Sequence, residues 1–267
     1  MSVRPVRQWA LIAVVGAMLV AMGACSSSTT STGDQPAPSA SAAAGEVIVF
    51  AAASLQSTFT KMGALFEDSH PGATVRFNFA GSSDLLAQLQ QGAPADVFAA
   101  ADTTTMDRAT ADKLLSGPPT NFATNTMMIA VPPDNPAGIA TFADLAEPGV
   151  QVVVCAPQVP CGAATKKVEA STGVTLTPVS EESSVADVLN KVSTGEADAG
   201  VVYATDVQGA TGKVTGIDIP TDVTAVNTYP IGVLAGSAAP TLAGQFKALV
   251  TGRQGQQVLA DAGFGVP

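Results

Sequence analysis

The residues best placed to do chemistry in this chain are small and mostly uncharged. Ser54 in "FAAASLQS", Ser82 and Ser83 in "AGSSDLL", Cys161 with Gly162 in "VPCGAA", and Ser184 with Val185 in "EESSVADV" share one design. In each, an apolar strand-like stretch meets a small or polar residue and a helical pattern begins. A helix start leaves backbone N–H groups unpaired and concentrates the positive end of the helix dipole, so it attracts anions. Singly, each serine is equally an ordinary N-cap. Together, the four junctions are either plain α/β architecture or the converging walls of an anion site.

Such a site would work through neutral donors. No arginine stands in any of the four junctions, and the nearest cations, Lys166 and Lys167, lie beyond the first turn of their helix. Hydrogen bonds to charged groups contribute roughly 1.5–3 kcal/mol each, so about five to seven donors could hold a desolvated oxyanion. A fully deprotonated tetrahedral dianion asks only for donors. Hydrogen phosphate carries a proton and asks for an acceptor as well, usually a carboxylate.

Catalysis finds little support. The one histidine, His70, sits in the turn signal "DSHPG" after a helical stretch, so a Ser–His nucleophile has no obvious base. Neither G-x-S-x-G nor a P-loop pattern occurs. One histidine and two internal cysteines make no usual zinc site. The acids of "EESS", Glu181 and Glu182, read as a solvated loop rather than a dyad.

The elements that must position these junctions alternate along the chain. "VIVFAA" (47–52) reads as a first strand, followed by Leu55, Phe59, Met62, Leu65 and Phe66 at helical spacing. "TVRFNF" alternates as a half-buried strand, and "GSSDLLAQLQQG" as a short helix closed by Gly92. Strands are expected at 95–102, 126–133, 150–157, over "VTLTPVS" (174–180), and at 197–207 ending on Tyr203. Helices are expected at 163–171 and in "SSVADVLNKVSTG", with two paired helices after Pro240. Strands alternating with helices specify a mainly parallel α/β sheet.

The chain begins with Arg4 and Arg7, an apolar run from about Trp9 to Val20, and small residues before Cys25, the pattern of an export signal over residues 1–24. "MGAC" resembles a bacterial lipobox, with Met22 where Leu is commonest, which would make Cys25 a lipidated mature N-terminus; simple secretion is the alternative. Residues 25–45 then form a Ser/Thr/Ala/Pro tether without apolar periodicity. The 267 residues carry a net charge of −10; without residues 1–24, ten basic residues face 22 acidic ones, a net of −12. Nucleic acid is therefore not an expected partner. Cys155 and Cys161 remain as a close pair in an oxidising compartment, either bridged or free.

In order along the chain, "VFAAASL", "NFAGSSDLLAQLQQGAPADVFAAAD", "VPCGAATKKV" and "GEADAGVVYATD" resemble the periplasmic molybdate-binding proteins of ABC importers, from about Val47 to the C-terminus. The resemblance implies a non-enzymatic, two-lobed type II periplasmic binding protein. Each α/β lobe would hold a mixed, mainly parallel sheet, with the ligand in the cleft between lobes. One lobe would take 46–123 and 228–267 and the other 125–226, with crossovers near 122–125 and 225–229. Carried over by motif, Ser54 and Ser82 would each offer a hydroxyl and a backbone N–H, Cys161 and Val185 a backbone N–H, and Tyr203 its phenol. The family often has Ala where Cys161 stands. The resemblance further implies molybdate or tungstate as ligand, no cofactor, and molybdenum present only within the oxyanion. It also implies a membrane permease partner, a lipid anchor outside the cell membrane and a monomer. Sulfate in the same fold is the alternative, and a secreted enzyme a remote one.

Overall fold

The computed structural model describes residues 45–267. The expected export signal, the lipidated Cys25 and nearly all of the tether lie outside these residues. The apolar run closing β1 (Gly45–Ala52), which lies parallel between β2 (Ala73–Ala80) and β3 (Val97–Ala99), is buried on both faces, because Val47, Val49 and Ala51 pack into one apolar cluster and Phe50 into another. A single 3-10 turn, Ala53–Leu55, leads from β1 into α1 (Gln56–Ser69), which buries Phe59, Met62 and Phe66. Leu85, Leu86 and Leu89 form the buried face of α2 (Ser82–Gln90), and Asp102 caps α3 (Thr103–Ala111) by accepting from the Thr105 N–H at 2.9 Å.

From here the chain crosses the molecule on β4 (Thr120–Val131). It continues through β5 (Val152–Cys155), α4 (Pro160–Thr172), β6 (Ser180–Glu182), α5 (Val185–Ser193), β7 (Ala199–Tyr203), the short α6 (Ala204–Gly209) and β8 (Thr215–Asp218). It returns on β9 (Val226–Val233) and ends in α7 (Pro240–Thr251) and α8 (Arg253–Asp261). The sheet order is β2-β1-β3-β9-β4-β7-β5-β6, with β8 on the far half of β4. Thr120–Thr126 of β4 pair antiparallel with β9, whereas Met127–Ala130 pair with β7. These two long strands join one half of the sheet to the other. Among the named strands, parallel pairing joins β1–β2, β1–β3, β5–β6 and β5–β7, and the other four pairs are antiparallel.

One apolar cluster, including Phe59, Phe122, Phe246, Tyr203 and Tyr229, runs across both halves, and a smaller one under α2 and α3 gathers Leu85, Leu86, Phe98 and Met106. Edge-to-face contacts of Phe59 with Phe77 and Phe246 knit α1 to β2 and α7.

Several elements differ from the sequence expectation. "VTLTPVS" is not a strand: Pro178 brings no ladder donor, and pairing with β5 begins only at Ser180. The strand expected at 95–102 contracts to Val97–Ala99, since Asp102 is taken as a helix cap. The one expected at 126–133 starts six residues earlier, because Thr120–Asn125 pair with β9. The helix expected at 163–171 begins already at Pro160, whose fixed φ suits a first helical position.

Candidate functional site

Ser54 is not an N-cap. It sits inside the 3-10 turn, whose cap residue Ala52 makes no side-chain bond, and its Oγ lies 3.0 Å from the Tyr229 hydroxyl. Ser82 is the first residue of α2, again not its cap; that place belongs to Gly81. The Ser82 Oγ accepts from the Ala101 N–H at 3.0 Å, which leaves its own hydrogen to donate elsewhere. Ser83 turns aside and donates to the Gln158 carbonyl at 2.7 Å.

On the other half of the molecule, Cys161 is the second residue of α4, directly after Pro160. Proline has no N–H, so the Cys161 amide is the first donor this helix offers. Cys161 is bonded to Cys155, their Cα atoms 5.7 Å apart, so the start of α4 is tied to the end of β5. Gly162 is required here for space, because a Cβ would overlap the Ala156 carbonyl oxygen. Ser184 alone fulfils the ordinary cap reading, accepting from the Asp187 N–H at 3.3 Å and donating to its carboxylate at 2.7 Å. Its hydroxyl is thus used within α5, and Val185 heads the helix.

The structure brings Ser54, Ser82, Cys161, Val185 and Tyr203 to one cavity of about 10 Å³, completed by Ala52, Ala53, Gly81, Ala101, Val159 and Pro160. No lining residue carries a charge. A space of that size holds about one water and excludes an extended organic solute. Gly81 lets the halves meet, since a Cβ there would overlap the Ser183 carbonyl oxygen.

Around the cavity lies a polar frame that sequence reasoning missed. Asn125 and Asn227 face each other across the β4–β9 ladder, and both are buried. The Asn227 amide donates to the Tyr203 hydroxyl at 2.8 Å and to the Ala101 carbonyl at 2.9 Å. Asn125 donates to the Thr205 hydroxyl at 2.7 Å and, more weakly, to the Tyr229 hydroxyl at 3.4 Å. The available signal was two asparagines within strand-forming segments, where a buried amide must find partners.

Burial pushes the Tyr203 phenol well above its ordinary pKa, helped by Tyr229, Asp206 and Asp102 nearby, and burial likewise raises Tyr229. Both phenols therefore keep their protons and can donate. Asp206, whose carboxylate accepts from the Tyr203 N–H at 2.9 Å, is pushed by burial up to about 7. Outside the cavity, and sharing Ala53 and Ser54 with it, a groove of about 670 Å³ carries Lys61, Lys213 and Asp206. The cations near the site are thus Lys61 and Lys213, whereas Lys166 is paired with Glu169 at 2.6 Å.

The remaining candidates have structural roles. His70 stacks on Phe66 with ring centres 4.0 Å apart, and Glu182 is ion-paired with Lys191. Among the described residues no group of three His, Cys, Asp or Glu side chains could hold a metal ion.

An uncharged, donor-lined cavity between two sheet halves joined by paired strands defines a small-solute binding protein of the two-lobed type. The chain belongs to the bacterial extracellular solute-binding proteins, whose family pattern it matches over residues 47–265. It is 52% identical to the molybdate-binding protein ModA of Mycobacterium tuberculosis over 254 residues, covering 95% of this chain and 97% of the relative. Among solved structures, the periplasmic molybdate-binding protein of Azotobacter vinelandii superposes with a TM-score of 0.73 at 21% identity, covering 83% of this chain and 99% of that one. The sulfate-binding protein SubI of M. tuberculosis superposes with a TM-score of 0.71 at 18% identity, over 82% and 86%. At these two identities the likeness is one of fold. Binding rather than catalysis is the business of this family.

Proposed function

We propose that this chain captures molybdate in the cavity between its halves and delivers it to the membrane permease of an ABC importer. The observation that carries the reading is the convergence of two hydroxyl-bearing junctions, two helix starts and one protonated phenol on a single uncharged cavity. Ser54 and Ser82 would donate from hydroxyl and backbone, Cys161 and Val185 from backbone N–H, and Tyr203 from its phenol. Every group is a donor, so the site favours a fully deprotonated tetrahedral dianion. The 52% identical ModA supports molybdate over the other members of that class.

Tungstate, nearly the same size, should bind comparably, whereas sulfate has shorter bonds and would leave donors out of reach. Because each half offers only part of the donor set, the ion would enter an opened cleft and be enclosed as the halves meet. The two lobes of this motion would be 46–123 with 228–267, and 125–226. Lipidation at Cys25 would hold the protein as a monomer at the outer face of the cell membrane, on the tether that follows.

Calorimetric titration of protein carrying residues 25–267 with molybdate, tungstate, sulfate and phosphate tests the reading. Tight binding of the first two, weak binding of sulfate and least of phosphate is expected. Equal heat from sulfate would transfer the assignment to that anion. Intact mass of the membrane-extracted protein tests the acyl group on Cys25.

A further inference from the structure

We propose that Asn227 is a specificity-determining positioning residue of the anion site, because its amide fixes the direction in which the Tyr203 hydroxyl donates. The inference rests on the oxyanion reading above and goes beyond it, since Asn227 does not line the cavity.

Asn227 lies on β9 and is 4% exposed. Its side-chain nitrogen faces the Ala101 carbonyl at 2.9 Å and the Pro160 carbonyl at 3.4 Å. Two carbonyl oxygens can only accept, so the group between them must be the NH₂ and not the amide oxygen. An NH₂ has two hydrogens. The shorter contacts, to Ala101 and to the Tyr203 hydroxyl at 2.8 Å, take both.

The Tyr203 oxygen is thereby an acceptor toward Asn227, and its single hydrogen must point elsewhere. Two places remain: the cavity and the neighbouring Tyr229 hydroxyl. A bound oxyanion is the stronger acceptor and wins the hydrogen. Without Asn227 no donor is held against the phenol oxygen, so its hydrogen is free to leave the cavity and a lone pair to turn on the ligand. A site with one acceptor among its donors tolerates a protonated anion better and a dianion worse.

The same residue serves both halves. The Ala101 N–H holds the Ser82 hydroxyl at 3.0 Å, and the Ala101 carbonyl holds Asn227, which holds Tyr203. Two of the three hydroxyls on the cavity are thus forced into the donor role by partners that can only donate to them. The third, Ser54, is set against Tyr229.

A double-mutant cycle on protein carrying residues 25–267 tests this. Asn227→Ala should weaken molybdate binding about tenfold, the worth of one charge-assisted bond. It should weaken phosphate binding less, narrowing the ratio between the two anions. In a Tyr203→Phe background the same substitution should have almost no further effect, because it acts through the phenol. Additive losses, or an unchanged anion ratio, would overturn the proposal and leave the oxyanion reading standing. If the parent protein binds none of the anions, both fall. Asn227→Ser repeats the cycle should the alanine variant not fold. A readout on the unmutated protein is the Raman doublet of tyrosine, which distinguishes donating from accepting phenols. The chain holds only Tyr203 and Tyr229, so the Tyr203→Phe spectrum isolates Tyr203. Molybdate should shift Tyr203 further toward donor; a shift toward acceptor would refute the assignment.

Discussion

The two halves of the molecule face the same cavity with different materials. The half built on β1, β2 and β3 presents Ser54 and Ser82, side-chain hydroxyls whose oxygens are already engaged with Tyr229 and the Ala101 N–H. The half built on β5 and β7 presents the starts of α4 and α5, braced respectively by a disulfide and by the Ser184 cap, with Tyr203 at the end of its strand. Side-chain donors are removed by a single substitution. Backbone donors survive it and can only be displaced. Equal proximity to a ligand therefore does not mean equal sensitivity to mutation.

The largest effect should come from denying the halves their contact altogether. Gly81 has φ −59°, which alanine accepts, so the obstacle at this position is space alone. Gly81→Ala should fold with a near-unchanged melting temperature and lose oxyanion affinity by more than about a hundredfold, as read by calorimetry. Retained affinity would mean that the halves need not approach as closely as they do here.

Next come the hydroxyls. Ser54→Ala, Ser82→Ala and Tyr203→Phe should each weaken binding by about ten- to a hundredfold. Ser82→Ala should also lower stability by about 1–3 kcal/mol, since it strands the buried Ala101 N–H, while Ser54→Ala leaves Tyr229 its Asn125 partner. Denaturant melts separate the two serines; equal stability losses would blur the distinction.

Reducing the Cys155–Cys161 bond should have a smaller effect. Closing a loop of sequence separation 6 stabilises by about 2 kcal/mol. Reductant should lower the melting temperature and reduce affinity a few-fold, because the Cys161 amide loses its brace. Full alkylation without reductant would show that the bond does not form.

Asp206 links the comparison to pH. Its folded pKa of about 7 lies above the ordinary 3.8, so the folded chain holds a proton that the unfolded chain releases between these values. Its contribution to stability is complete below about pH 4 and is lost as pH rises through about 7. Asp206→Asn should therefore melt a few degrees above the parent at about pH 8 and level with it near pH 4. Protonation also removes a negative charge behind Tyr203, so parental affinity for a dianion should rise about threefold as pH falls from about 8 to 6. The variant should show a flat profile.

The smallest effect is expected at the backbone donors. Val185→Ala should change affinity by less than about twofold, because the N–H remains at the head of α5. A loss at Val185 larger than at Ser54, with both proteins folded, would break the comparison between the halves.

Much of this organisation was legible in the sequence. Strong apolar periodicity located β1, α1, β2, α2, α5 and the closing helices within a few residues. The short ladders were not: β6 consists of Ser180, Glu181 and Glu182, and only its position beside β5 makes a strand of such polar residues. Nor did the cap reading survive at Ser54 and Ser82, because the cap falls on the last residue with extended backbone angles, here Ala52 and Gly81, and that follows from how the preceding strand ends.

By itself the sequence determined which residue types stand at the strand-to-helix junctions, that no charge accompanies them, and which family the chain belongs to. Those properties are local, set by side-chain chemistry and by the spacing of apolar residues. Only the tertiary structure decided that Ser54, Ser82, Cys161, Val185 and Tyr203 share one cavity, and that Asn125 and Asn227 stand behind it. Residues from the first and second halves are brought together by the pairing of β4 with β9, across about a hundred residues of chain. Hydrogen-bond direction is likewise a tertiary property: a phenol becomes an obligate donor only when a group that can do nothing but donate is packed against its oxygen.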